Sequence, residues 1–137
     1  LMHRFAEETA ATAPPHSGLA VLVADAHIER WLYIGRDGDG RTHLHRPETR
    51  ADLHAAADRS VRHPAYRRRP GWQRDHNLLA MPFWLAEEYD AAAEMFDVLG
   101  DQFTGSPWHY LSGTPAEVFA RARDETYGKR MAAARPR

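Results

Sequence analysis

Apolar residues along the chain recur at intervals of three and four, the spacing of helices with one buried face. Leu19, Leu22, Val23 and Ala26 begin such a stripe, and Trp31 and Leu32 continue it. They predict a helix of about 17–19 residues after an N-cap at Ser17, the most apolar in the chain. The glycines at 35, 38 and 40 end it in a flexible turn. Residues 42–46 read as a short, extended piece. Pro47 at a first helical position and Glu48 in the first turn open a helix to about residue 62. Its buried face carries Leu53, Ala56, Ala57 and Val61, and His63-Pro64 stops it. Asp75 predicts the cap of a helix from residue 78 to about 87. Another follows from Tyr89 to Leu99 and closes at Gly100. Thr114-Pro115-Ala116-Glu117 sets an N-cap, a proline at N1 and a glutamate at N3 before a last helix to about residue 128. Residues 2–13 predict a further short helix ending at Pro14-Pro15. Residues 65–72 and 104–112 read as loops, and 129–137 as a flexible basic tail. No segment alternates at period two for long enough to make a strand. The expectation is a single all-α domain over residues 1–137, about six helices packed as antiparallel αα-hairpins.

Composition narrows the chemistry. The 137 residues match one domain and contain no cysteine, which excludes thiolate zinc sites, iron–sulfur ligation and cysteine nucleophiles. The longest apolar run, from Leu19 to Ala24, stops at Asp25, far short of the ~18 residues a membrane helix needs. The first residues do not form a signal peptide. The expectation is a cytoplasmic protein with no membrane partner. The Leu1-Met2 start suggests a trimmed or partial chain, with a missing upstream domain as one candidate partner. Seventeen arginines against one lysine, with abundant alanine, are associated with a high-GC bacterial genome.

The net charge of −1 hides a segregation. Residues 36–74 carry ten arginines and five acids, whereas residues 75–120 carry eight acids and no lysine or arginine. Such halves neutralise each other in the fold or face different partners.

The most conspicuous chemical feature is Arg67-Arg68-Arg69-Pro70-Gly71-Trp72, followed by Arg74. Guanidiniums beside an indole suit a phosphate, a carboxylate-bearing peptide, or a strand with a stacking base. The near-neutral pI and the adjacent acidic stretch disfavour nucleic acid. The plainer reading is a surface loop anchored by Trp72, its arginines paired with Asp75, Glu87 or Asp90. His43, His45 and His54, with Asp37, Asp39, Glu48 and Asp52 nearby, raise a metal reading that needs three or four converging ligands. The expectation is solvated histidines and no metal or other cofactor. Arg69 and His76 match the Arg-x(4–6)-His spacing of an all-helical ribonuclease, but Pro70-Gly71 between them prevent one shared helical surface. No serine has an identifiable triad, and no catalytic residue is assigned.

Residues 75–102 resemble a tetratricopeptide repeat. Leu79, Ala80 and Phe83 stand at the first-helix packing positions, Ala92 and Phe96 at those of the second, and Tyr89 at the aromatic turn position. Small residues admit the neighbouring backbone and aromatic ones fill the groove. Glu87 stands where the family prefers glycine, His76 where tryptophan is usual, and Pro82 inside the first helix predicts a kink or break. One repeat length before Ala92 stands Asp58, so no second copy is evident. The resemblance implies a non-catalytic, protein–protein interaction module. Its peptide groove would be lined by Asn77, Met81 and Trp84, with Asn77 holding a peptide backbone. Arg67, Arg68, Arg69 and Arg74 are the further partner contacts. The alternative is a small enzyme or anion-binding domain in an Arg/His pocket around residues 67–76, built by His76, His27, Arg74 and Asp75. The first needs an exposed groove, and the second needs those side chains to converge.

Overall fold

The computed structural model describes residues 18–35 and 38–134. The expected helix over residues 2–13 lies outside them. A 3-10 turn, Gly18–Val21, leads into α1 (Leu22–Ile34), followed by α2 (Asp39–His45), α3 (Pro47–Asp58), α4 (Trp72–Leu85) and α5 (Tyr89–Leu99). A second 3-10 turn, Trp108–Tyr110, precedes α6 (Pro115–Ala134). Among the described residues there are six α-helices and no strand. None of these helices is long and apolar enough to cross a membrane.

The local signals account for most boundaries. Pro47 opens α3, and the Glu117 N–H donates to Thr114 Oγ1 at 3.2 Å, as an N-cap should. Gly100 ends α5 at φ 61°, a conformation glycine adopts without penalty. Other boundaries differ. Residues 42–45 are helical rather than extended, because Leu44 and Gly40 bury against the core and α1 and so favour a helix over a solvated strand, and only Arg46 keeps an extended backbone. α4 begins at Trp72, after Gly71 at φ 87°, so Asp75 lies in its first turn instead of capping it. α4 also runs unbroken through Pro82, which is buried near its C-terminal end. α3 stops at Asp58, where Ser60 and Arg62 turn their N–H groups back to Ala57 O. α6 passes Gly128 and continues to Ala134, so residues 129–134 extend the helix.

The core joins α1, α3, α4, α5 and α6. Ile28, Leu53, Leu79, Phe83, Ala92 and Phe96 are all fully buried. α4 and α5 form the most extensive helix–helix contact. At 25–30 cal/mol per Å², burying side chains of this size contributes on the order of 1.5–3 kcal/mol each before entropy is counted.

The turn between α4 and α5 shows how Glu87 is accommodated. It adopts φ 60°, a left-handed conformation that favours glycine. Arg41 Nη2 and His45 Nε2, one helical turn apart on α2, both stand 3.6 Å from its carboxylate. Arg50 and His54, one turn apart on α3, approach Glu88 at 3.8 and 3.7 Å. Arg50 Nη2 also donates to Ala86 O at 3.0 Å, satisfying a carbonyl at the end of α4. Exposed ion pairs of this kind contribute ~0–1 kcal/mol each. Glu87→Gly is therefore expected to be about 1 kcal/mol more stable than Glu87→Ala. Both delete the carboxylate, but only glycine relieves the backbone. Paired urea titrations measure the difference, and equal stabilities would mean that the turn is unstrained.

Candidate functional site

The basic segment lies between α3 and α4, tied down by its own backbone. Tyr66 N–H donates to His63 O, and Trp72 N–H to Arg69 O, each at 2.9 Å. Under this turn sits a small polar–aromatic cluster. Tyr66 OH donates to Asp75 Oδ2 at 2.9 Å, and the Tyr66 and Trp72 rings both meet His76 edge-on, at 6.0 and 5.3 Å between centroids. His76 is 4 % exposed, and its Nδ1–H reaches Trp72 O at 3.4 Å. Burial pushes the His76 pKa down, which favours a neutral ring. Burial raises the Asp75 carboxyl, opposed by the hydrogen bond from Tyr66 and the charge of Arg74. Burial likewise raises the Tyr66 phenol, as does its bond to Asp75.

The cluster's one acid, Asp75, feels the Arg74 charge without forming an ion pair with it. Arg67, Arg68, Arg69 and Arg74 are exposed, and none makes an ion pair among the described residues. The acids expected to neutralise them are engaged elsewhere: Asp75 by Tyr66, Glu87 by Arg41 and His45, Asp90 by Arg130 at 3.1 Å. Arg67 Nη1 donates to Pro64 O and Tyr66 O at 3.3 and 3.2 Å, curling back on its own turn. The Arg68 guanidinium carbon stands 4.3 Å from the centre of the Trp72 ring, close enough for cation–π attraction.

The inner-face residues lie elsewhere. Asn77 and Met81 are fully buried and Trp84 is 9 % exposed. Asn77 holds a backbone, but that of its own chain: Nδ2 donates to Gln73 O at 2.8 Å and to Gln102 O at 3.2 Å. Its Oδ1 accepts the Trp108 indole N–H at 2.7 Å. Trp108 packs against Phe96 and Phe119, so the loop after α5 and the start of α6 occupy the space expected for a peptide groove. The physical reason is the apolar character of that face, which the chain covers with its own aromatic residues. Asn77, Met81 and Trp84 thus act as core residues.

The second set of predicted residues does not assemble into one pocket. His27 belongs to a different network from His76. Its Nε2–H donates to Asp52 Oδ2 at 3.0 Å, and its Nδ1 lies 2.9 Å from His43 Nε2. His27 is 2 % exposed, and a carboxylate on one side fixes the proton on Nε2. The histidines considered for metal point to separate partners. His43 turns to His27, His45 Nδ1 to Arg41 O at 2.8 Å, and His54 toward Glu88 and Arg62. Among the described residues no group of three or more histidine and acidic side chains could hold a metal ion. The Asp52–His27–His43 chain was invisible to spacing arguments, because its members come from three helices and residues 42–46 read as extended.

Further concavities include a shallow, open one of about 640 Å³ between the α4–α5 turn and the end of α6, bordered by Glu87, Tyr89, Asp90 and Arg130, and a smaller one of about 240 Å³ where α1, α2 and α6 meet that turn. Trp31, Leu44, Trp84 and Leu111 line it, with Arg41, Glu87 and Glu125 among its charged residues. It is smaller than the ~300–1,000 Å³ of ordinary small-molecule sites. No protein-family model, curated protein or solved structure matches the chain.

Proposed function

We propose that this chain is a non-catalytic, tetratricopeptide-like helical interaction module that docks a protein or peptide partner through its arginine loop. In this reading α4 and α5 form the repeat-like antiparallel hairpin, and the module works in the cytoplasm. The observation that carries the proposal is the four exposed arginines at 67, 68, 69 and 74, which have no ion pair among the described residues. The chain supplies acids to Arg41, Arg50, Arg62 and Arg130 and leaves this group to an outside anion. The aromatic and polar side chains beneath them are packed and hydrogen-bonded to one another. A binding surface of this kind sits on a loop positioned by helices, as binding residues commonly do.

The alternative enzyme reading draws no comparable support. Of the histidines that would build its pocket, His76 is buried and bonded to Trp72 O, and His27 is committed to His43 and Asp52.

The test is co-purification from the source cells with the wild-type chain and with an Arg67/Arg68/Arg69→Ala variant. A partner retained by the first and lost by the second, with both chains melting at the same temperature, is the expected result. A partner set unchanged by the substitutions overturns the proposal.

A further inference from the structure

The arginine loop also limits what its partner can be. We propose that it reads a short acidic peptide segment, gripping side-chain carboxylates with the Arg68 guanidinium as its central fork. This rests on the interaction-module reading above and names its ligand.

The first argument is placement. Arg68 rests over the Trp72 ring at 4.3 Å and makes no hydrogen bond to the described residues. Contact with the ring restrains a side chain that otherwise loses much rotamer freedom on binding. Its five N–H donors remain for a ligand, and their planar fork matches a carboxylate in a two-bond arrangement. Arg67 is restrained by Pro64 O and Tyr66 O, which also leaves donors spare. Arg69 and Arg74 extend the positive field on either side of Trp72 along the chain.

The second argument separates an acidic peptide from a nucleic-acid strand. Sequence-tolerant strand binding needs aromatic faces on which bases stack. At this loop the Trp72 ring already carries Arg68, and the edge-on contact with His76 fixes it further. Tyr66 is half-buried, with its hydroxyl bonded to Asp75 and its ring against His76. A strand also brings one phosphate per nucleotide and would run onto the helices that follow, where residues 75–120 hold eight acids and no lysine or arginine. A short peptide stops before that boundary. In an extended peptide, alternate side chains share one face, so acids at every second position would all meet the loop.

The experiment uses the whole chain and a fluorescein-labelled peptide of alternating glutamate and glycine. Its glutamine counterpart, a phosphoserine counterpart and a labelled oligothymidylate serve as competing probes. Binding is read by fluorescence anisotropy at low and at physiological salt. The wild-type chain is expected to bind the glutamate peptide and ignore the glutamine one. Arg67/Arg68/Arg69→Ala should weaken binding by more than about 10-fold. Arg68→Lys keeps the charge but loses the fork and the stacking, and should weaken it by roughly 3–10-fold. Arg68→Ala should weaken binding at least as much as Arg68→Lys, whereas Arg121→Ala, the same loss of one charge on the exposed side of α6, should leave it unchanged.

An Arg68→Lys variant that binds like wild type overturns the fork, leaving charge alone. An Arg121→Ala variant as weak as Arg68→Ala overturns the site. Tighter binding of the oligothymidylate or the phosphoserine peptide overturns the ligand class. If no peptide binds while the cellular partner is still lost with the triple variant, this inference fails and the module reading stands. If the cellular partner stays on the triple variant, the module reading fails first.

Discussion

Trp108→Ala is expected to lower the free energy of unfolding by about 3–5 kcal/mol, one of the two largest single-residue effects in this domain. Trp108 is fully buried, and its ring packs against Phe96, Phe119 and Trp84 at centroid distances of 6.1, 5.6 and 6.3 Å. Removing it opens a cavity among three aromatic neighbours that the helices cannot close without moving. It also removes the donor to Asn77 Oδ1. Trp108→Phe separates the two contributions, because it keeps most of the packing and leaves the buried amide oxygen without that donor. Its expected cost is ~1–3 kcal/mol, the cost of an unsatisfied buried polar group. Asn77→Ala strands the opposite partner, the indole N–H, and frees Gln102 O as well. It should therefore cost at least as much as Trp108→Phe. The double variant Asn77→Ala with Trp108→Phe should cost less than the two singles added together, because the second substitution has no bond left to break. Urea unfolding of the four chains measures the coupling. Strict additivity would mean that the bond contributes nothing.

Gly40→Ala is the second, with an expected loss of about 3 kcal/mol or more, or failure to fold. An added Cβ at Gly40 would overlap the carbonyl oxygen of Gly35 and stand 2.7 Å from Trp31 O. Both obstacles are backbone at the end of α1, so no side chain can rotate aside. α2 would have to lift off α1, which disturbs Leu44 in the core and the His43–His27 contact with it. Gly38→Ala is the internal control, since a Cβ there meets nothing within 4 Å and the penalty is confined to its φ of 67°. It should cost only ~1–2 kcal/mol. Thermal melts of the two variants rank them. A Gly40→Ala chain as stable as Gly38→Ala would mean that α1 and α2 do not approach as closely as described.

Helix existence was legible wherever apolar period and end signals agreed. α5 closes at Gly100 and α6 opens at Thr114-Pro115 because their capping chemistry is local, set by residues one turn apart. The arginine loop was legible for the same reason, since consecutive charges need no tertiary information to be noticed. The helix α2 was not legible, because its seven residues, Asp39–His45, hold too little periodicity to signal it. Gly40 and Leu44 become helical through contacts with α1 and the core. Asn77, Met81 and Trp84 read as one exposed face because spacing specifies a face and says nothing of what covers it. Tertiary structure decided that: the loop after α5 brings Trp108 back across thirty-one positions to meet Asn77.

By itself, then, the sequence determined an all-helical chain, an aromatic and alanine-rich α4–α5 pairing surface, and a run of arginines placed just before it. The partners of those arginines were settled only in three dimensions. Local order placed Asp75 one residue after Arg74, which suggested an ion pair. In the fold Asp75 turns inward to Tyr66, and Glu87 and Asp90 are taken by α2 and α6. Charge neutralisation depends on distances between helices, which no spacing along the chain encodes. That is why a sequence with a net charge of −1 still presents a basic loop that forms no ion pair among the described residues.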